Sequence, residues 1–206
     1  MGTDKALLPV VPGGEPLLSI VLDRLKRVSD DLLIVAPERP GYDAFATRVV
    51  PDLIAGGGTL VGIHAAVSHA EYEHCIVVGC DMPFLSGLLI EYMAREPRDY
   101  DVLVPYLPGS SRQGAGGLVY HTLHAVYSRR CLPAIERQLL AGKRQVIGFF
   151  AQVDVRIIDL VTVTALDPTL LSFFNANTPE TLARAREILA SARVEKCEEL
   201  RQWGGD

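Results

Sequence analysis

The sequence predicts an α/β protein built on a doubly wound, mainly parallel sheet, and three observations carry that reading. Short continuous apolar runs such as Cys75-Ile76-Val77-Val78-Gly79-Cys80 have the character of strands covered on both faces. Those runs alternate with segments of 3.6-residue periodicity, as the crossover connections of a parallel sheet require. The run from His74 to Cys80 also breaks off into Asp81-Met82-Pro83-Phe84, which sets a carboxylate at the exit of a buried strand, where ligands of open α/β sheets collect. Asp81 is therefore the first candidate for a catalytic residue. Read by itself, an Asp that only starts the turn before Pro83 explains the segment equally well.

The first half is regular. Pro16 opens a helix whose apolar residues Leu18, Val21, Leu22, Leu25 and Val28 share one face, with Asp23, Arg24, Lys26 and Arg27 on the wet side. Leu32 to Ala36 reads as a strand, and Arg48 to Pro51 as a short extended piece ending at Asp52. The turn Gly56-Gly57-Gly58 leads into a helix from about Thr59 to Ala70, and Cys75 to Cys80 follows as a strand. Ser86 can cap a helix to about Arg95, after which Asp101 to Pro105 is another strand. In the second half, Leu107 to Gly117 reads as a mobile loop and Leu118 to Tyr127 as one long strand. Pro133 sits in the first turn of a helix that ends at Gly142, and Val153 to Leu160 alternates as a strand does. Thr178-Pro179-Glu180 caps the last helix, which carries Leu182, Ala185 and Leu189. Residues 1–193 form a single domain and 194–206 a charged, frayed tail.

Composition narrows the function. With 206 residues, 49% hydrophobic and 22% charged, one domain with a substantial core is expected. A net charge of -5 without a Lys/Arg block disfavours nucleic acid and anionic membranes as partners. No apolar stretch reaches the ~20 residues of a spanning helix and no signal-peptide pattern opens the chain, so a cytoplasmic location is the expectation. Cys75 and Cys80 lie an odd number of positions apart on one strand and point to opposite faces, which argues against a shared metal and for buried reduced thiols. His121 with His124, and His69 with His74, give no metal-ligand pattern either.

Four segments together resemble the nucleotidyltransferases that build the molybdenum cofactor. Met1-Gly2-Thr3-Asp4-Lys5-Ala6-Leu7-Leu8 is similar to the second half of their signature loop, L-A-G-G, a few residues, R-M-G-x-D-K-x-L-L. Val50-Pro51-Asp52 with Gly58-Thr59-Leu60-Val61-Gly62-Ile63 resembles the next nucleotide-contacting segment, and Asp81-Met82-Pro83-Phe84 the metal-binding element. Phe174-Asn175-Ala176-Asn177-Thr178-Pro179-Glu180-Thr181-Leu182 matches F-x-N-x-N-T-P-E-x-L, the most discriminating of the four, because the related cytidylyl-transferring enzymes usually lack the paired asparagines. The resemblance is to the molybdenum cofactor guanylyltransferase (MobA-like) branch.

The resemblance implies a three-layer, Rossmann-like nucleotidyltransferase fold without its first strand, since L-A-G-G and the arginine after it have no counterpart ahead of Met1. Either the natural chain starts earlier or this product is damaged. It implies transfer of GMP from GTP to molybdopterin with release of pyrophosphate, and Mg2+ held by Asp81. Lys5 would meet the triphosphate, Asp52 the nucleotide, and Asn175 and Asn177 the molybdopterin. His124 and Arg144 are further candidates, from Leu123-His124-Ala125-Val126-Tyr127 against a family L-H-A-L-Y and from Gly142-Lys143-Arg144-Gln145 against a basic G-x-R-R. A molybdoenzyme or chaperone would accept the product. Two other readings compete: a catalytically silent protein that binds molybdopterin or a partner, and a related nucleotidyltransferase that uses CTP or another small phosphate.

Overall fold

The computed structural model describes residues 5–9, 13–37, 40–109 and 117–203, with backbone alone for Lys5 and for 192–203. Among the described residues there are seven strands and six α-helices, and those of the first half follow the predicted order. Helix α1 (Leu17–Leu25) starts after Pro16 and buries Leu17, Leu18, Val21 and Leu22. Strands β1 (Leu33–Val35) and β2 (Arg48–Val50) pair in parallel, Ile34 opposite Val49. Between Asp52 and α2 (Thr59–His69) the backbone of Gly56, Gly57 and Gly58 takes φ values of 102°, 61° and 104°, a conformation that residues with a Cβ rarely adopt. Seven of the eleven residues of α2 are buried, so this helix is held by packing, at roughly 1.5–3 kcal/mol for each large aliphatic side chain removed from water. Strand β3 (His74–Val78) comes next, followed by α3 (Gly87–Arg95).

The sheet is mixed, so the mainly parallel expectation holds only in part. Strand β4 (Val102–Pro108) pairs in parallel with β7 (Val155–Ile158) and antiparallel with β5 (Leu118–Tyr120) and β6 (His124–Ser128). Strand β6 lies between β4 and β3 and is antiparallel to both. The cause is local: no helix separates β4 from β6, and without a crossover the chain must return antiparallel.

The run from 118 to 127 is likewise two strands, not one. Leu103 and Tyr106 of β4 are three positions apart, whereas their partners Val126 and Tyr120 are six apart, so residues 121–123 leave the ladder as a turn closed by the His124 amide on the His121 carbonyl at 2.9 Å. The loop expected from Leu107 begins later, since β4 runs to Pro108; its residues 110–116 lie outside the described part. The elements not predicted include a 3-10 stretch Val146–Gln152 and α5 (Leu160–Leu166), which Asp159 caps by accepting from the Thr162 amide at 2.8 Å. Helix α4 (Leu132–Leu140) has Pro133 in its first turn and Gly142, at φ 72°, just beyond its end. The backbone of α6 (Pro179–Trp203) stays helical through 194–203, the stretch assigned above to a frayed tail.

Helices cover both faces of the sheet, giving three layers. On one face α2 and α4 pack on Val102, Val104, Ala125 and Tyr127. On the other, α3 and α5 pack on Leu103, Leu107, Val126 and Ile158, while α1 covers Ile34 of β1 and Ile76 and Val78 of β3. Among the described residues, β1–β2 and the five-stranded sheet are not joined by a strand pair. As a result β3, although as apolar as β6, is only half-buried along its whole length, whereas every residue of β6 is buried.

Candidate functional site

The site is built where β2 and β3 end. Gly79 leaves β3 with its amide donating to the Leu123 carbonyl at 3.1 Å, so the turn at 121–123 that interrupts the β5–β6 run is what holds the exit of β3. The Met82 amide closes a turn on the Gly79 carbonyl at 3.3 Å, with Asp81 inside it. The Asp81 carboxylate folds back over Gly79: a Cβ placed on Gly79 would stand 2.7 Å from Asp81 Oδ1. Below it, Met82 and Leu85 are buried against Val21 of α1 and Ile90 of α3.

The segment 166–177 clamps this turn. Asp167, buried, accepts from the Ser172 amide at 2.9 Å. The Ser172 hydroxyl in turn accepts from the Ser86 amide at 2.7 Å, and the Ser86 hydroxyl donates to the Leu166 carbonyl at 2.8 Å while accepting from the Leu89 amide at the start of α3. Phe84 and Phe174 pack edge to face with ring centres 5.7 Å apart. The Ala176 amide then donates to the Asp81 carbonyl at 2.8 Å. Asn175 and Asn177, the exposed residues that flank Ala176, are thereby held near the Asp81 backbone. Sequence reasoning missed the Asp167–Ser172–Ser86 brace; its one legible sign was Asp167-Pro168-Thr169, a turn with an Asp in the position that caps backbone amides. Ser86→Ala removes both the cap and the tie to Leu166. It should cost about 1 kcal/mol of folding stability in a urea titration, and an unchanged midpoint would show that the brace carries no weight.

Asp52 and Asp81 line one cavity together with Thr59, Gly62 and Gly79. Asp52 is exposed beyond β2, and Asp81 is half-buried. Arg144 reaches the glycine turn that follows Asp52, donating to the carbonyls of Ala55 at 3.0 Å and Gly57 at 3.1 Å. A Cβ on Gly56 would meet the same guanidinium at 2.5 Å, so this glycine is needed both for its positive φ and for the close approach. Asp81, Asn175 and Asn177 thus form one group, and Asp52, the glycine turn and Arg144 another, at neighbouring strand ends.

Two candidates stand apart from these groups. His124 is fully buried on β6, with the Phe173 ring 5.0 Å from its own. Burial pushes its pKa down to about 4, so the imidazole is neutral at physiological pH and offers no surface to a ligand. The Lys5 side chain lies outside the described part, as do Met1 to Asp4 of the signature segment; the Lys5 backbone starts a 3-10 turn, Lys5–Leu7, whose Ala6 is buried beside Ala36 and Tyr42. The thiols divide: Cys131 is buried, Cys75 half-buried and Cys80 exposed, the last correcting the reading of all of them as buried. Burial raises Cys75 and Cys131 to about 12, so both stay protonated and inert.

The donor set suits a hard cation. Magnesium takes one or two carboxylates and completes its shell with phosphate and water oxygens. Among the described residues no three His, Cys, Asp or Glu side chains converge as a closed metal cage would require, while Asp52 and Asp81 line the same cavity, with Asp30, Asp31 and Glu73 also on its wall. No helix among the described residues is long and apolar enough to cross a membrane.

Residues 1–155 match the family model described as the MobA-like NTP transferase domain. A protein of Pelotomaculum thermopropionicum named "Probable molybdenum cofactor guanylyltransferase" is 40% identical over 94% of this chain and 89% of its own length. The "Molybdenum cofactor guanylyltransferase" of Desulfosudis oleivorans is 35% identical over 88% and 86%. Among solved structures, molybdopterin-guanine dinucleotide biosynthesis protein A from Archaeoglobus fulgidus superposes with a TM-score of 0.75 at 26% identity, over 92% of each chain. The 2-C-methyl-D-erythritol 4-phosphate cytidylyltransferase of Thermus thermophilus shares the fold at a TM-score of 0.64 and 17% identity, over 90% of this chain and 94% of its own.

Proposed function

Because this chain belongs to the MobA-like NTP transferase family, a family of nucleotidyltransferases, we propose that it transfers GMP from GTP to molybdopterin. An oxygen of the terminal phosphate of molybdopterin attacks the α-phosphorus of GTP, and the bond from that phosphorus to the bridging oxygen of the β-phosphate breaks. The product is a pyrophosphate linkage between the pterin and GMP, and inorganic pyrophosphate leaves. Both reactants are anions, so holding them in line and offsetting their repulsion supplies most of the rate.

The observation that carries this reading is the 2.8 Å bond from the Ala176 amide to the Asp81 carbonyl. It joins the paired asparagines to the strand-end carboxylate, as a site for two substrates needs. Asp52 and the glycine turn take the nucleotide; Asn175 and Asn177 present amide groups, which both donate and accept, to the pterin. Asp81 holds Mg2+, which supplies positive charge at the phosphates when bound. Lys5 adds a cation on the triphosphate. His124 supports the site from behind, through the Leu123 carbonyl that holds Gly79. A cytoplasmic location and a molybdoenzyme or chaperone as acceptor complete the reading.

The test is Mg2+-dependent pyrophosphate release from GTP with molybdopterin present, run beside CTP and ATP and repeated with a chelator. Release with GTP that the chelator abolishes is expected. Equal or faster release with CTP, or none with any nucleotide, would overturn the assignment. Arg144 belongs to the same test, since its two bonds fix the glycine turn. Arg144→Ala should raise the KM for GTP by roughly tenfold, the scale of one or two charge-assisted hydrogen bonds, with the KM for molybdopterin unchanged. If the pterin KM moves instead, Arg144 serves the other substrate.

A further inference from the structure

Two imidazoles at the turn between β5 and β6 are buried without using their nitrogens. His121 Nε2 and both ring nitrogens of His124 are enclosed with no hydrogen-bond partner, although an unpaired buried polar atom is costly and nearly all are paired. What the two rings do contact is Phe173, whose ring centre lies 4.5 Å from that of His121 and 5.0 Å from that of His124. Both imidazoles are fixed from their own side. The His121 amide donates to the Pro105 carbonyl of β4 at 2.9 Å, and His124 stands opposite Val78 of β3.

Phe173 ends the 3-10 turn Leu171–Phe173, two residues before Asn175. The chain enters this turn through Leu170 at φ 54°, a conformation that leucine adopts only under strain. Such a segment stays in place where its contacts over-determine it. Ser172 is tied by its amide to Asp167 and by its hydroxyl to the Ser86 amide, and further on the Ala176 amide reaches the Asp81 carbonyl. The Phe173 ring is the remaining anchor. We propose that His121 and His124 are positioning residues: their rings seat Phe173 and so hold the segment of Asn175 and Asn177 on the Asp81 turn. Only the identity of the substrate those asparagines meet rests on the proposed function.

Leucines would fill the same space with no polar atom to bury, so imidazoles make the seat conditional on their staying neutral. Burial lowers the pKa of His121, and burial with His121 beside it pushes His124 from 6.5 down to about 4. Asp167 and the Ser172 backbone pull the other way at His124, more weakly. The other titratable members of the cluster that Phe173 joins are Tyr92 of α3 and Tyr100 ahead of β4. Burial raises both, so neither ionises in that range. Once Phe173 lifts, water reaches the imidazoles and they regain their ordinary basicity. The released form therefore takes up protons first, and docking weakens as pH falls from 6.5 toward 4 and is constant above that window.

The experiment is amide exchange on the full chain without substrates, at about pH 7.5 and about pH 5, each corrected for the intrinsic exchange rate. Protection of Ser172 to Asn177 should fall by roughly tenfold or more at the lower pH while that of β6 holds. The double variant His121→Leu, His124→Leu keeps the volume and removes both proton sites; its protection should be the same at the two pH values. Its melting curve reports whether it folds, and if it does not, the wild-type measurements still decide the matter. Phe173→Leu, which removes the ring contact, should lower protection at both pH values. In turnover, the wild-type KM for molybdopterin relative to that of the double variant should rise about tenfold at the lower pH. The titration of the substrate's own phosphate cancels from this ratio, and the same ratio for GTP should stay level. Equal wild-type protection at the two pH values, an acid loss as large in the double variant, or a loss shared equally by β6 would overturn the proposal. Exchange as expected with an unmoved molybdopterin ratio would uphold the seat and contradict the substrate given to Asn175 and Asn177.

Discussion

Asp81→Asn lowers the rate of pyrophosphate release from GTP by about 100-fold or more, the usual consequence of removing a preorganised charge from a site of phosphate chemistry. The substitution keeps shape and volume. The side chain is half-buried at the end of β3, and the turn that carries it is held by backbone bonds from Met82 to Gly79 and from Ala176 to Asp81, none of which involves the carboxylate. Folding should therefore be preserved, and the variant's melting curve beside its turnover separates loss of charge from loss of structure. A loss of less than roughly tenfold would mean that another group holds the cation.

Gly79→Ala is the complementary case, in which the charge stays and its position changes. The new methyl would stand 2.7 Å from Asp81 Oδ1 and 3.2 Å from the Met82 sulfur, too close for either to remain. Both are the far ends of flexible side chains, and Gly79 is not among the glycines with positive φ, so the backbone can accept alanine. Stability should hardly change. The carboxylate must swing away, and a displacement near 1 Å can cost on the order of 100-fold when it misplaces reacting groups. Turnover and urea midpoint measured on the same preparation decide this: full activity would show that the carboxylate orientation seen over Gly79 is not the working one.

The doubly wound pattern was legible wherever one residue type settled one local question. Ser86 caps α3, Pro133 opens α4 and three glycines with positive φ launch α2, each as its chemistry prescribes. What sequence could not show was decided at long range. Residues 118–127 are apolar enough for one strand, and only the offset between the Leu103–Val126 and Tyr106–Tyr120 pairs forces the turn at 121–123. Leu160 to Leu166 is rich in β-branched residues and alternates like a strand, yet the Asp159 cap and packing against β4 and α3 make it a helix. The reach of Arg144 to Ala55 and Gly57 spans nearly ninety residues, and no local pattern encodes it.

The candidate site was legible to the same degree. Asp81 declared itself as a carboxylate at a strand exit, and Asn175 and Asn177 by a motif. Their meeting through the Ala176 amide needed the fold, as did the discovery that His124 is enclosed and Cys80 exposed. The half-buried condition of β3 could not be read from His74 to Val78 either, because an apolar strand carries no mark of which neighbour sits on each edge.

The direct test is crystallographic: crystals soaked with Mn2+ and GTP and measured at the manganese absorption edge. The anomalous peak should lie within about 2.2 Å of an Asp81 carboxylate oxygen, the bonding distance for a small hard cation, and touch the triphosphate on its other side. A peak bound to the triphosphate but out of bonding reach of Asp81 would contradict the account.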